Sequence, residues 1–225
     1  MSSISWIQKL KDFLNDLAKP SQELPEIETV KYQNCLSIME TIRVTGSNRA
    51  DSHYLNGIET KACDLGGEKW TKAPCFMPFD GIIKKIETDT NTVSVESTSP
   101  VRMANGVIDY VSFRVSHANK IPNHVQVGTV LEQGAYFYDE GTKGTDGSTV
   151  GEHVHIVFGR GKLQNKYFVK QRTKLPYLIT IDTTGGAVEI YEAMFLKEDT
   201  KIILENNPGD IYPWIRLSKE MEDGF

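Results

Sequence analysis

Trp6, Leu10, Phe13, Leu14 and Leu17 recur at helical spacing with lysines and acids between them. That pattern predicts an amphipathic helix over residues 4–19, stopped at Lys19 by Pro20. Residues 20–28 (PSQELPEIE) carry two prolines and several acids and read as an extended linker. From about residue 36 the pattern shortens. Ile82, Ile83 and Ile86 follow Asp80-Gly81, and Val93 and Val95 alternate with polar residues. The stretches 110–115, 136–138 and 153–158 are rich in β-branched and aromatic residues. Glycine-bearing turns separate them and no long helix intervenes, which predicts a mainly β fold, an antiparallel sheet or sandwich. After Gly161 the pattern gives further strands at 177–181 and 202–204 and a short helix near 189–196. The expected organisation is an N-terminal helix and linker over 1–35, a core over 36–165, and a β-rich C-terminal extension over 166–225 packed on that core. The apolar face of the first helix is expected to dock on its own domain or on a second copy.

Lys and Arg number 25 against 30 Asp and Glu, a net charge of −5 with no basic stripe, which argues against a nucleic-acid binder. Charges interrupt the N-terminus, so it does not read as a signal peptide, and no apolar run is long enough to cross a bilayer. The expectation is a product made in the cytoplasm. Cys35, Cys63 and Cys75 form no C-x-x-C motif and read as reduced, buried thiols; a Cys63–Cys75 disulfide has no support.

The chemistry concentrates in the histidines. His153-Val154-His155 lies in a run of strand composition, where residues two apart share a face. Both imidazoles then project from one side, with Val154 and Ile156 facing the other. One ring can bind a metal while its neighbour reaches water or substrate. The glycine-rich stretch 144–151 (GTDGSTVG) feeds into this pair and lets another backbone approach closely. Asp64 lies among apolar neighbours in Ala62-Cys63-Asp64-Leu65, where a buried carboxylate needs a partner such as a metal. Cys63 points to the opposite face. His124, after Ile121-Pro122-Asn123, reads as an exposed loop histidine.

The 144–155 run resembles the G-x-T-G-x-S-T-G-x-H-x-H segment of the lysostaphin-like zinc metallopeptidases, with Val150 inserted. Residues 78–83 (PFDGII) are similar to that family's A-x-x-D-G-x-V strand entry, and Val115-Ser116-His117 to its strand ending in a catalytic histidine. Residues 120–133 resemble its V-x-x-G-x-x-L-x-x-G stretch. The resemblance covers roughly residues 50–160 and looks closest to the phage endolysin branch, which has counterparts of HVHIVFGRGK at 153–162. One departure stands out. The family's first metal motif is H-x-x-x-D, yet Thr60 stands four before Asp64, and the upstream histidine is His53, with ten residues between it and Asp64. Residues 54–63 then read as a looped insertion between two ligands, which a site built in space tolerates.

The resemblance implies a β fold of the lysostaphin-like (duplicated hybrid motif) type, with Zn²⁺ held by His53, Asp64 and His155. It makes His117 and His153 the catalytic residues, imidazoles standing in for the Glu of H-E-x-x-H enzymes. The implied function is a zinc-dependent endopeptidase that hydrolyses the peptide cross-links of bacterial peptidoglycan, as a phage lysis or tail-associated lysin. Acting without a signal peptide, it would reach the wall by phage-type release or as part of a virion. Further implied partners are phage tail proteins, or a second copy through the N-terminal helix. Two other classes compete: a catalytically inactive structural or wall-binding module of the same fold, and a sugar-phosphotransfer carrier domain with paired histidines.

Overall fold

The computed structural model describes residues 32–46, 54–55, 58–59, 61–68, 72–143, 149–164 and 181–203. The chain divides into two compact units, 1–31 and 32–225, and every described residue belongs to the second. The helix expected over 4–19 and most of the strand expected at 177–181 lie outside the described residues.

Among the described residues strands dominate. They are β1 (Gln33–Asn34), β2 (Thr41–Gly46), β3 (Tyr54–Leu55), β4 (Ile58–Glu59), β5 (Cys63–Gly66) and β6 (Pro74–Phe76). Next come β7 (Gly81–Glu87), β8 (Thr92–Ser97), β9 (Val101–Arg102), β10 (Ile108–Asp109), β11 (Val111–Ser116) and β12 (Val130–Leu131). The last are β13 (Tyr136–Asp139), β14 (Gly141–Lys143), β15 (Thr149–Arg160), β16 (Ala187–Val188) and β17 (Lys201–Ile203). A single turn of helix, α1 (Ile190–Ala193), falls inside the 189–196 segment where a short helix is expected.

The main sheet runs β12-β7-β8-β11-β15-β5-β2-β17, with β14 and β16 also paired to β15. Its pairings are antiparallel except β17 on β2; β1 on β9, in a small separate sheet, is also parallel. The fold is therefore mainly β, as expected, with a mixed rather than purely antiparallel sheet. β16 and β17, from the far end of the chain, are members of the same sheet as the strands before residue 165.

One face of the central strands is apolar. Val93 and Val95 on β8, Phe113 and Val115 on β11, and Val154, Ile156 and Phe158 on β15 are all fully buried. Phe113 is the hub, with its ring 5.7 Å from Phe79 and 5.6 Å from both Phe137 and Phe158. Each such side chain contributes about 1.5–3 kcal/mol on burial.

The other face departs from simple alternation. Thr92, Ser94, Ser112, Arg114 and Ser116 are polar and point away from the phenylalanines, yet they too are buried. Antiparallel sheets usually leave such a face in water. Here Leu163 and Ile181 pack over Val157 and Ala62 on that side, and the Leu163 N–H donates to Glu96 Oε2 at 2.9 Å. Several of the buried polar groups find partners, as burial requires. Thr92 Oγ1 lies 2.8 Å from both Thr90 Oγ1 and Ser116 Oγ, and the Arg114 guanidinium meets Glu87 Oε2 at 2.5 Å. Cys35, Cys63 and Cys75 are all buried and none is in a disulfide.

Candidate metal centre and catalytic histidines

Register brings the first members of the site together. On the polar face β5 places Asp64 directly across from His155 of β15, and β11 places Ser116 on the other side of His155. Asp64, His155, Ser116 and Thr92 thus form a row running across four strands. Val154 pairs with Leu65, and Ile156 with Cys63, on the apolar side. A one-residue slip would bury the imidazoles among the phenylalanines, so the apolar face enforces the register.

His155 Nδ1 lies 3.0 Å from Asp64 Oδ1, and His153 Nε2 lies 3.7 Å from the same oxygen. Two donor atoms bound tetrahedrally at zinc distances are separated by roughly 3.3 Å. The Asp64–His155 pair fits such an edge, with one carboxylate and one imidazole of the kind zinc takes. Among the described residues no three His, Cys, Asp or Glu side chains form a complete metal-holding group. His53, expected as the remaining ligand, lies outside the described residues. Behind Asp64, Glu140 anchors the end of β5. Its carboxylate accepts the N–H groups of Gly67 (2.8 Å) and Ala73 (3.0 Å), while Arg43 Nε donates to the Gly67 carbonyl at 3.1 Å.

His117 arrives differently. It follows the last residue of β11, and continued alternation would turn it to the apolar side with Val115. Instead its φ is +86°, a left-handed value uncommon for a residue with a side chain and costing about 1–3 kcal/mol. That break places the ring on the polar face, with its centroid 4.7 Å from His153 and 5.8 Å from His155. Its Nδ1 is 2.8 Å from the Lys143 carbonyl oxygen, which can only accept. Nδ1 therefore carries the proton and Nε2 keeps the lone pair. Burial, followed by the neighbouring His155 and His153, pushes the His117 pKa down to about 3 against the opposing pull of the Lys143 carbonyl and Asp64. The ring is neutral at neutral pH, with its Nε2 lone pair uncommitted to a proton. His153 has the same tautomer for the same reason: Nδ1 donates to the Gly151 carbonyl at 2.6 Å, leaving Nε2 toward Asp64.

The structure therefore gathers Asp64, His117, His153 and His155 in one place. His124 is exposed and apart, its Nε2 2.9 Å from the Tyr136 carbonyl oxygen, as the sequence suggests. The glycine-rich stretch 144–151 runs into β15 from Thr149 onward, and β14 just before it pairs with β15 through Gly141–His153 and Lys143–Thr149. Sequence reasoning missed the groups that hold the 117–119 turn, namely Asn91, Tyr138, Gly141 and Lys143. Asn91 sits in a turn-like Thr-Asp-Thr-Asn-Thr stretch, but nothing in the sequence links it to His117.

No protein-family model matches the chain, and no curated protein does. Among solved structures, a zinc-containing peptidase from Vibrio cholerae aligns at 20% identity over 57% of this chain and 36% of its own, with a TM-score of 0.39. The M23 metalloprotease pseudoalterin, from the deep sea, aligns at 12% identity over 71% of this chain and 95% of its own, with a TM-score of 0.38. The chain thus spans about a third of the length of the Vibrio peptidase. Identities and scores of this size assign no role to any residue. Among the described residues no helix is long and apolar enough to cross a membrane.

Proposed function

We propose that this chain is a zinc-dependent endopeptidase that hydrolyses the peptide cross-links of bacterial peptidoglycan, acting as a phage lysis or tail-associated lysin. The observation that carries the proposal is the convergence of one carboxylate on β5, two imidazoles on β15 and a third just past the end of β11. The resemblance of residues 50–160 to the lysostaphin-like metallopeptidases supplies the substrate class and the fold type.

Asp64 and His155 would hold the ion together with His53, the ligand set expected of a catalytic site with one position left open. When bound, zinc supplies Lewis acidity toward water and the scissile carbonyl. The chain's own residues do the proton work. The Nε2 lone pairs of His117 and His153 lie on the same face, and one accepts a proton from the attacking water as its oxygen bonds to the carbonyl carbon. The protonated imidazole then hydrogen-bonds the developing oxyanion and passes its proton to the amine nitrogen as the C–N bond breaks. Backbone carbonyls at Lys143 and Gly151 hold each ring in the tautomer this requires.

Digestion of purified peptidoglycan, with mass analysis of the released muropeptides, tests the reading. New amino and carboxyl termini within the cross-bridge or stem peptide are expected, and chelation should abolish them. Intact peptides after digestion with zinc-replete protein would leave the inactive wall-binding module as the better reading.

A further inference from the structure

His117 reaches the polar face only because its backbone stands at φ +86°, so something must hold that conformation against relaxation. The residues that do so come from elsewhere in the chain. Tyr138, fully buried on β13, accepts the Ala118 N–H at 2.9 Å and donates its own hydroxyl proton to the Asn91 carbonyl. Burial holds its phenol well above the ordinary tyrosine pKa, so the proton it donates stays in place. Asn91, in the turn between β7 and β8 at φ +48°, sends its side-chain amide to the carbonyls of Ala118 (2.8 Å) and Asn119 (3.0 Å). Asn119 Oδ1 accepts the N–H and hydroxyl of Thr142, both at 3.0 Å, which ties the turn to β14. The two peptide groups after His117 are therefore gripped from both sides.

We infer that Tyr138 and Asn91 are positioning residues for catalysis: together they lock the 117–119 turn so that the His117 imidazole stands beside His153 and His155. The inference rests on the proposed role of His117 as proton acceptor. The hydrogen bonds of both residues go to the 117–119 turn and to each other, so their effect on the site is exerted through His117.

Tyr138→Phe removes the hydroxyl and keeps the ring, and Asn91→Gly removes the amide at a φ that glycine adopts freely. The second variant keeps the test open should the first fail to fold. In each, zinc content should equal that of wild type. Turnover of a fluorogenic cross-bridge peptide should fall about 10–100-fold in kcat, the scale of a small misplacement of a reacting group, with KM unchanged. In a His117→Ala background neither substitution should lower the rate further. Long-range ¹H–¹⁵N spectra should show the His117 ring signals shifted or broadened and those of His155 in place. The same kcat loss with and without His117, or wild-type kcat with unmoved His117 signals, would overturn the inference. The spectra decide it even for a chain that cuts no peptide: displaced His117 signals support the lock while the endopeptidase reading alone falls.

Discussion

Asp64 and His155 meet because two extended strands are in register, whereas His117 meets them because a strand is broken. The first arrangement is held along its whole length. Val154 against Leu65 and Ile156 against Cys63 bury the opposite face, and any slip exposes apolar surface while burying imidazole. The second depends on a handful of hydrogen bonds from the β7–β8 turn, β13 and β14. Strand-built sites are rigid by default, while a turn-built group is only as well placed as its supports. On the proposed reading, the half that would hold the metal should therefore tolerate disturbance of the other half, and the half that would handle protons should lose turnover first.

The sharpest way to break the comparison is at its strand-built side. His155→Ala deletes the imidazole at the centre of the Asp64–His155–Ser116 row. Near-complete loss of zinc and of peptide cleavage is expected, read by elemental analysis and muropeptide release. Full zinc stoichiometry in that variant would remove His155 from the ligand set.

Next come His117→Ala and His153→Ala. Both should keep zinc and lose about 10²–10⁴-fold in kcat, the usual contribution of a positioned acid–base group. A variant with near wild-type turnover would take that residue out of the mechanism. Loss of zinc from His153→Ala would move it to the metal, which its 3.7 Å approach to Asp64 makes worth measuring.

These predictions separate what was legible in the sequence from what was not. The alternation of His153-Val154-His155, with β-branched neighbours, identifies a strand face. Asp64 among apolar residues identifies a carboxylate in need of a partner. Both are period-two signals, and the structure puts the residues where those signals point. The burial of Thr92, Ser94 and Arg114 was not legible, because alternation assigns polar side chains to a second face without saying what covers it. Nor were Tyr138 and Asn91: a hydrogen bond from β13 to a turn 20 residues earlier leaves no periodicity to read.

Gly141 sharpens the comparison at smaller amplitude. A Cβ there would stand 2.3 Å from the His117 carbonyl oxygen, 2.5 Å from the Asn119 nitrogen and 2.8 Å from the Ala118 carbonyl carbon, all backbone atoms that cannot rotate away. Gly141→Ala must push the turn off β14. We expect zinc to stay, stability to fall by about 1–3 kcal/mol as in other overpacked sites, and kcat to drop about 10–100-fold. Thermal melting and peptide turnover check both. Unchanged turnover would show that His117 tolerates displacement and that the turn-built half is sturdier than argued.

The smallest effect on the site should come from the far end of the chain. Residues 1–31 form one compact unit and 32–225 another, and Asp64, His117, His153 and His155 all lie in the second. The helix face expected of Trp6, Leu10, Phe13, Leu14 and Leu17 would still be too apolar to remain in water, since burying each such side chain is worth about 1.5–3 kcal/mol. Removing residues 1–24 should therefore leave zinc content and kcat unchanged. It should lower the melting temperature if that face docks on its own chain, or change the mass seen by light scattering if it docks on a second copy. A truncated protein that unfolds and loses zinc would place the first helix in the core of the catalytic domain, and both halves of the site would then depend on it.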